Sequence, residues 1–532
     1  MKSCGWWMVC LIIAGAAAFG ENPDWNALGK AWWAHVQFLA DDRLEGRGTG
    51  TPGFEKAADY MVAQFREAGL TPAGVDGYRQ RVDFHVVEID EHRCSLDLLD
   101  KGKAQPVKLG EDAIINVSSG ASENVEAGAV FVGYGLTVPE SHYDDLAGKD
   151  VKGKIVVLVT GGPSDMPGPV KAHYQSGEER RKALAKAGAI GTITIQNPKS
   201  AEIPWSRIAG SRFEPHMELS DPGRGIPPPL AVSILFNTDH AEMLFSGSGH
   251  TFQEIVADIQ GDKPLPHFPL AVQVHARVGM SRTSVSSENI VGVLPGSDPK
   301  LKKEYVVVSA HLDHLGIGAP VERNHIPDRI YNGAMDDASG DASLIEVARA
   351  VKDAKPRRSI LFLSVTAEEK GELGSQYFAA HPTVPGPIVA DLNKDMYLPL
   401  FPLKYLEVQG LGESTLGDDV RAAAQAAGVQ VQADKEPEHN RFIRSDQYSF
   451  IKNGVPALAF KFGWVKGTPE EKTFKAWYAE RYHGPSDDLS QPVDLAAAAQ
   501  FDAILEKLAL RVADADGRPE WKANSFFRRF KK

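Results

Sequence analysis

The sequence predicts an α/β fold in which a mainly parallel central sheet is flanked by helices and a smaller β-rich domain is inserted. Apolar, β-rich runs at 305–308 and 360–365 enclose residues 341–352, whose apolar side chains recur at helical spacing. Polar clusters directly follow both runs, which is typical of the carboxyl edge of a parallel sheet. Near Glu126 the pattern changes to short β-branched runs and Gly- and Pro-rich loops, which continue to about Gly261.

The length of the chain favours more than one domain, because 532 residues exceed what a single hydrophobic core supports. We predict a leader at residues 1–20, the first part of a main domain at 21–125, an inserted domain at 126–262 and the second part of the main domain at 263–532. That second part carries the candidate functional residues. No feature of the sequence indicates a partner protein for the inserted domain.

The first 20 residues have the pattern of a secretory signal peptide. Lys2 precedes an apolar stretch from Trp6 to Ala18, and small residues stand before Glu21. An uncleaved anchor is the alternative, but the apolar stretch is too short to span a bilayer comfortably, so no stable membrane insertion is predicted. We therefore expect a secreted or periplasmic protein. Cleavage would leave Cys94 as the one remaining cysteine and exclude an intramolecular disulfide.

Composition and charge are those of an ordinary soluble globular protein. Hydrophobic residues make up 43% of the chain and charged residues 24%, which excludes a largely disordered chain. The formal net charge is −12. A nucleic-acid partner is not expected, because a polyanion would be repelled by such a surface.

The remaining elements follow from hydrophobic periodicity and from Gly and Pro positions. Helices are predicted at 54–68, where Gly69 ends the helix, and at 178–187, 341–352, 373–381, 417–427 and 495–515. Strands are predicted at 82–89, 94–99, 129–134, 154–159, 192–195, 289–294, 305–308, 360–365, 387–392 and 456–460. The order of strands and helices after residue 289 is that of an α/β sheet.

The polar clusters contain the residue types that zinc prefers, which are imidazole and carboxylate. The candidate ligands are His311, Asp336, Glu369, Asp395 and His483. Two metal ions about 3.5–4 Å apart need a bridging carboxylate, and Asp336 suits that place. One histidine and one terminal carboxylate then remain for each metal. Glu368 stays uncoordinated beside Glu369 and is predicted to act as the general base on a metal-activated water.

Further polar residues stand close to the two candidate histidine ligands. Asp313 lies two residues after His311, and Asp487 lies four after His483. Either carboxylate could accept the second ring N–H of its histidine, which would orient the ring. His314 and His325 also lie near the first motif, but the five candidates already complete the ligand set. We assign these two histidines to loop hydrogen bonding.

Several of these motifs together resemble a known family. They are His311-Leu312-Asp313, the segment 331–340 (YNGAMDDASG), Glu368-Glu369, the segment 393–396 (NKDM) and the segment 482–487 (YHGPSD). They resemble the di-zinc aminopeptidase family that includes bacterial leucyl aminopeptidases, glutamate carboxypeptidase and transferrin receptor. The segments 131–135 and 151–156 resemble the protease-associated domain found in many members. The resemblance covers most of the chain after residue 20.

The resemblance implies a zinc exopeptidase fold with a mixed central sheet and two Zn²⁺ per chain. It implies that one zinc is held by His311, Asp336 and Asp395. It implies that the other is held by His483, Glu369 and the shared Asp336. Glu368 is then the general base, and the peptide bond between Asp336 and Asp337 is cis. Cobalt or manganese could replace zinc, since geometry and metal availability decide the native ion.

The function implied by the resemblance is that of an aminopeptidase acting on peptides with a free N-terminus. A carboxypeptidase or dipeptidase using the same metal site is an alternative, as is a peptide-binding relative without catalysis. Tyr482, Tyr448 and Arg441 are candidate substrate-binding residues, and Arg444 is a further candidate for a substrate carboxylate. Gln447 stands where many members of the family have histidine, so any role of that histidine is not expected here.

Overall fold

The computed structural model describes residues 23–118, 120–199, 203–221, 230–323 and 325–531. The predicted leader at 1–20 lies outside the described residues. The helices are α1 Trp25–Leu39, α2 Pro52–Glu67, α3 Gly168–Gln175, α4 Gly177–Ala187, α5 Trp205–Ser211, α6 Glu242–Phe245, α7 Phe252–Gln260, α8 Ser339–Val351, α9 Leu373–Ala380, α10 Leu416–Gln425, α11 Gln447–Lys452, α12 Pro469–Glu480 and α13 Leu495–Asp514. None of these helices has both the length and the apolar character needed to cross a bilayer.

The strands form one large and one smaller sheet, with two short hairpins beside them. The strands are β1 Thr71–Pro72, β2 Arg79–Ile89, β3 Ser95–Asp100, β4 Lys103–Pro106, β5 Ala113–Asn116, β6 Asn124–Phe131, β7 Thr137–Val138, β8 Tyr143–Asp144, β9 Ile155–Val159, β10 Gly191–Ile195, β11 His216–Leu219, β12 Val232–Phe236, β13 Phe268–Arg277, β14 Met280–Leu294, β15 Tyr305–His311, β16 Gly316–Arg323, β17 Ile326–Tyr331, β18 Ser359–Val365, β19 Ile388–Asn393, β20 Tyr405–Gln409, β21 Gln430–Ala433 and β22 Ala457–Gly463.

The large sheet has the order β11-β2-β14-β18-β15-β19-β22-β20-β21, and β1 pairs with β14. Its centre, β18-β15-β19-β22, is parallel, whereas β14, β2 and β11 on one side and β20 on the other pair antiparallel. Every residue of β15 and β18 is buried, as expected for parallel strands covered on both faces. The mixed α/β class is therefore confirmed, with the parallel pairing concentrated at the centre.

Helices cover both faces of the large sheet. On one face α1, α2, α8, α10 and α13 enclose the main core, in which Trp32, Val306 and Leu508 are fully buried. On the other face α9 and α11 pack through Phe378 and Phe450. The result is a three-layer arrangement in which the carboxyl ends of the central strands stay open at one edge.

The smaller sheet has the order β4-β3-β13-β6-β9-β10-β12-β5 and a hydrophobic core of its own. Its strands begin at Ser95 and end at Arg277, so strands on both sides of the predicted insertion at 126–262 belong to it. β11 also lies within residues 126–262, but it pairs with β2 at the edge of the large sheet and is not part of the smaller one. The division into domains stays a prediction, and the pairing of β3 with β13 favours wider bounds for the insertion.

Candidate metal centre

The residues predicted to bind metal converge at the carboxyl edge of the large sheet. His311 is the last residue of β15, Glu369 follows β18 and Asp395 follows β19. Asp336 lies just before α8, and His483 lies in the loop after α12. Parallel strands bring their carboxyl ends to the same edge, so residues far apart in sequence become neighbours there.

The distances define a compact group around Asp336. His311 Nε2 lies 3.3 Å from Asp336 Oδ1 and 3.8 Å from Asp395 Oδ1. On the other side, His483 Nε2 lies 3.3 Å from Asp336 Oδ2 and 3.2 Å from Glu369 Oε2. The two oxygens of Asp336 therefore face two different histidines. This is the arrangement required of a bridging carboxylate.

Buried atoms without hydrogen-bond partners test whether these residues fit a metal. They are His311 Nε2, both ring nitrogens of His314, Asp336 Oδ2, Glu369 Oε1 and Asp395 Oδ1. A buried polar atom without a partner is costly, and metal coordination is one way to satisfy it. These atoms belong to two groups of residues. Within each group, the possible ligand atoms lie within 4.8 Å of one another. One contains His311, Asp336 and Asp395, and the other His314, Asp336 and Glu369.

His314 corrects the assignment made from the sequence. The sequence predicts loop hydrogen bonding for this residue, but its ring is fully buried and its Nδ1 lies 2.7 Å from Glu369 Oε1. Neither His314 Nδ1 nor Glu369 Oε1 has a hydrogen-bond partner, so the two atoms lie close together without one donating to the other. The ring of His314 lies 5.9 Å from that of His483. His325, by contrast, is exposed at the turn between β16 and β17.

The structure also corrects the partners proposed for Asp313 and Asp487. His311 Nδ1 contacts the backbone carbonyl of Asp313 at 3.0 Å, whereas the Asp313 carboxylate accepts from Thr49 Oγ1 at 3.0 Å. The Asp313 carboxylate also accepts the backbone N–H groups of Glu368 and Glu369. It therefore positions the loop after β18, and the backbone orients the His311 ring.

Asp487 likewise binds backbone and not the His483 ring. Its carboxylate accepts the N–H groups of Met335 and Asp336 at 3.0 Å, together with the Gln491 amide. Among the described residues no hydrogen bond joins it to His483. Asp487 thus fixes the backbone that presents Asp336. The Asp336–Asp337 peptide bond is cis, as the resemblance implied.

Glu368 differs from its neighbour Glu369 in its surroundings. Glu369 contacts His314 and His483, whereas Glu368 forms no ion pair within the described part of the chain. Its side chain lines the cleft beside Asp336, Asp395 and His483. Burial raises the pKa of the Glu368 carboxyl well above its usual range. A carboxylate in this position can take up a proton from a group in the cleft.

The cleft next to the centre includes two of the three predicted substrate-binding residues. Tyr482 and Arg441 line it, and the ring of Tyr482 stacks on His483 with 3.9 Å between centroids. Tyr448 is placed elsewhere: it is buried, its hydroxyl contacts His173 Nδ1 at 2.6 Å, and it is absent from the cleft lining. Gln447 lines the cleft and binds Asn393 and the Phe442 carbonyl through its amide.

Comparison with known proteins now gives the family. Residues 289–509, which include every candidate ligand, match the model of peptidase family M28. This part of the chain belongs to peptidase family M28. The resemblance read from the motifs is thereby confirmed.

Two relatives of this chain carry peptidase names. Aminopeptidase YwaD of Bacillus subtilis (strain 168) is 25% identical over 237 residues, which are 42% of this chain and 46% of that protein. A probable zinc metalloprotease of Pyrenophora tritici-repentis (strain Pt-1C-BFP) is 33% identical over 114 residues, which are 21% of this chain and 24% of that protein. This chain therefore matches less than half of the length of either relative.

A solved structure supports the fold along nearly the whole chain. The aminopeptidase from Aneurinibacillus sp. strain AM-1 superposes with a TM-score of 0.55 and 20% sequence identity. The match covers 92% of this chain and 95% of that one. It therefore extends to the smaller sheet as well as to the M28 segment.

Two arginines outside the M28 segment hold its loops. Arg47 is fully buried and donates to the backbone carbonyls of Leu312 and Gly333, next to candidate ligands. Arg207 of α5 donates to the carbonyls of Tyr482 and Ala479 at 2.7 and 2.8 Å. Neither residue could be singled out from the sequence, because arginine in a polar segment is usually solvated.

Proposed function

We propose that this chain is a zinc-dependent aminopeptidase that holds two zinc ions and releases N-terminal residues from peptides. The observation that most supports this proposal is a pair of donor groups that share Asp336. Both groups contain buried atoms without hydrogen-bond partners. Imidazole and carboxylate are the ligands of hydrolytic zinc sites. When bound, zinc acts as a Lewis acid that polarises a carbonyl and lowers the pKa of water. One relative is named an aminopeptidase and the other a probable zinc metalloprotease, and both names agree with this activity.

In this proposal the residues of the chain have separate tasks. His311 and Asp395 would hold one ion, and Asp336 would take part in both sites. His483 and Glu369 would hold the other ion, with the His314 ring beside Glu369. Glu368 takes a proton from the attacking water and passes it to the amide nitrogen as the C–N bond breaks. The carboxylates of the centre attract the free amino group of the substrate, which favours cleavage at the N-terminus.

The experiment combines metal analysis with paired peptides that differ only at the N-terminus. We expect purified protein to contain about two zinc ions per chain, as in other two-metal hydrolytic sites, and a chelator to abolish hydrolysis until zinc is restored. Peptides with a free amino group should be shortened from the N-terminus, and their acetylated counterparts should remain intact in mass spectra. Release of C-terminal residues from acetylated peptides would instead identify a carboxypeptidase. A protein that binds no zinc would refute the proposal.

His314 gives a prediction about the second ion. Replacing His314 with Asn removes a ring nitrogen that faces Glu369 Oε1, so zinc should be held more weakly on that side. We expect about a 10–100-fold weaker affinity for one of the two ions, the range seen when groups around a metal are lost. Titration of the apoprotein with Co²⁺, followed by absorption, measures it. The exposed His325→Asn is the matched control, and equal titrations of the two variants would remove His314 from the centre.

The location follows from the leader pattern alone. We infer export from the charged, apolar and small-residue segments within residues 1–20. N-terminal sequencing of protein recovered from the periplasm or the medium should then start near Glu21. A mature protein that still begins at Met1 would contradict cleavage.

A further inference from the structure

One end of the cleft beside the metal centre carries hydrogen-bond donors and adjoins the candidate ligand Asp395 through Lys461. Its floor is formed by the paired strands β20 and β22, where Gln409 lies opposite Ala459 and Glu407 lies opposite Lys461. Side chains opposite each other in an antiparallel pair share a face. The small side chain of Ala459 leaves room above the floor between Gln409 and Lys461.

The donors on this floor have unused hydrogen-bonding capacity. Gln409 is 2% exposed, and its amide Nε2 has no hydrogen-bond partner. Lys461 is 5% exposed, and its ammonium donates to the backbone carbonyl of Asp395 at 2.7 Å. Among the described residues no carboxylate forms an ion pair with Lys461. A buried ammonium with three donors and a single carbonyl partner is incompletely satisfied.

Asp395 and Glu407 are acidic neighbours of Lys461, and neither carboxyl forms an ion pair with it among the described residues. Burial, together with the nearby Asp434, raises the pKa of Glu407 to about 8, so the carboxyl opposite Lys461 is largely protonated at neutral pH. Arg444 lines the same cleft and donates to the carbonyl of His439, with no carboxylate partner among the described residues. Arg441 is already engaged, because it pairs with Glu436 at 3.0 Å and lies over the Tyr478 ring.

We propose that this end of the cleft binds a carboxylate of the peptide substrate, namely the side chain of an N-terminal glutamate or aspartate, through Lys461, Gln409 and Arg444. The inference rests on the proposed aminopeptidase function and names its substrate class. Lys461 contacts the backbone of Asp395, a candidate ligand, so the pocket lies one residue from the centre. The substrate's ammonium group then faces the carboxylates of the centre, while its side-chain carboxylate faces the donors. Charge-assisted hydrogen bonds of this kind are strong and discriminate sharply against uncharged analogues.

The first test compares isosteric substrates. Tripeptide amides X-Ala-Ala-NH₂ with X as Glu, Gln or Leu have no free α-carboxylate, so only the side chain differs. We expect kcat/KM for Glu to exceed that for Gln by more than about 10-fold, as befits a site built for a charged group. Lys461→Met should bring the ratio close to one. If that variant does not fold, Arg444→Met at the exposed end should lower the ratio in part.

The matched control is Lys186→Met on α4, an exposed lysine outside the cleft, which should keep the wild-type ratio. A second arm compares Leu-Ala with Leu-Ala-NH₂. The enzyme that carries Lys461 could cleave Leu-Ala faster than Leu-Ala-NH₂ while its Glu/Gln ratio stays near one. The pocket would then hold an α-carboxylate, and the side-chain assignment would be wrong. Equal rates for all pairs would overturn the pocket altogether.

A binding measurement separates this inference from the proposed function. Calorimetry with free L-glutamate and L-glutamine needs no turnover, and both have the same α-groups. Tighter binding of L-glutamate that is lost in Lys461→Met supports the pocket, even if no peptide is hydrolysed and the aminopeptidase proposal fails. Conversely, hydrolysis without discrimination in either assay would leave the aminopeptidase proposal intact and refute the pocket.

Discussion

Glu368→Gln should lower peptide hydrolysis by about 10²–10⁴-fold while leaving the zinc content of the protein unchanged. Glu368 lines the cleft and forms no ion pair with the described histidines or cations, so its amide analogue should fit the same space. A glutamine cannot accept a proton from the attacking water. General acid–base catalysis contributes about 10²–10⁴-fold, and we expect kcat/KM to fall by that factor. Steady-state assays and elemental analysis of the same preparation measure both quantities.

The adjacent Glu369→Gln is the matched variant, because the chemical change is identical one residue along the chain. Glu369 Oε1 and Oε2 face His314 and His483, so its loss should lower the zinc content towards one ion per chain. Glu368→Gln should therefore lose activity with metal retained, and Glu369→Gln should lose both. Substantial hydrolysis by Glu368→Gln would show that another group moves the proton.

The candidate ligands could be located from the sequence because each follows a strongly apolar strand or a glycine-flanked turn. Parallel pairing of β18, β15 and β19 then gathers them at one edge, and this follows from general rules of α/β sheets. The sequence does not identify His314, because nothing local to the segment after β15 shows that the third residue after His311 lies against Glu369. The direction of such a segment depends on contacts made far along the chain, such as the hydrogen bond from His314 N to the Arg47 carbonyl.

The bounds of the smaller sheet show a second limit of local patterns. Strands β3 and β13 pair with each other, yet each alone reads as an ordinary amphipathic strand that could join either sheet. β11 illustrates the converse, because it lies within the predicted insertion and pairs with β2. Which distant strands pair with each other depends on how their side chains pack in the folded core. Periodicity therefore predicts strands, whereas the assignment of a strand to one sheet or the other depends on partners far along the chain.

Arg47→Met should destabilise the protein strongly, because the Arg47 guanidinium is fully buried and serves four backbone carbonyls. It donates to Leu39 at 2.5 Å, Leu312 at 2.8 Å, Asn332 at 2.6 Å and Gly333 at 3.0 Å. Each carbonyl left without a donor costs about 1–3 kcal/mol, so we expect the free energy of unfolding to fall by at least about 3 kcal/mol. Chemical denaturation measures the change.

Arg47→Lys separates charge from shape, since an ammonium keeps the charge but cannot reach four carbonyls in the plane of a guanidinium. Its loss of stability should be smaller than that of Arg47→Met but clear. Arg43→Met is the control on the same turn, because the Arg43 side chain is 77% exposed and pairs with Asp41 at the surface. Leu312 and Gly333 adjoin the segments of His311 and Asp336, so zinc affinity should fall together with stability in both Arg47 variants. Unfolding midpoints and zinc titrations equal to those of Arg43→Met would show that Arg47 positions neither segment.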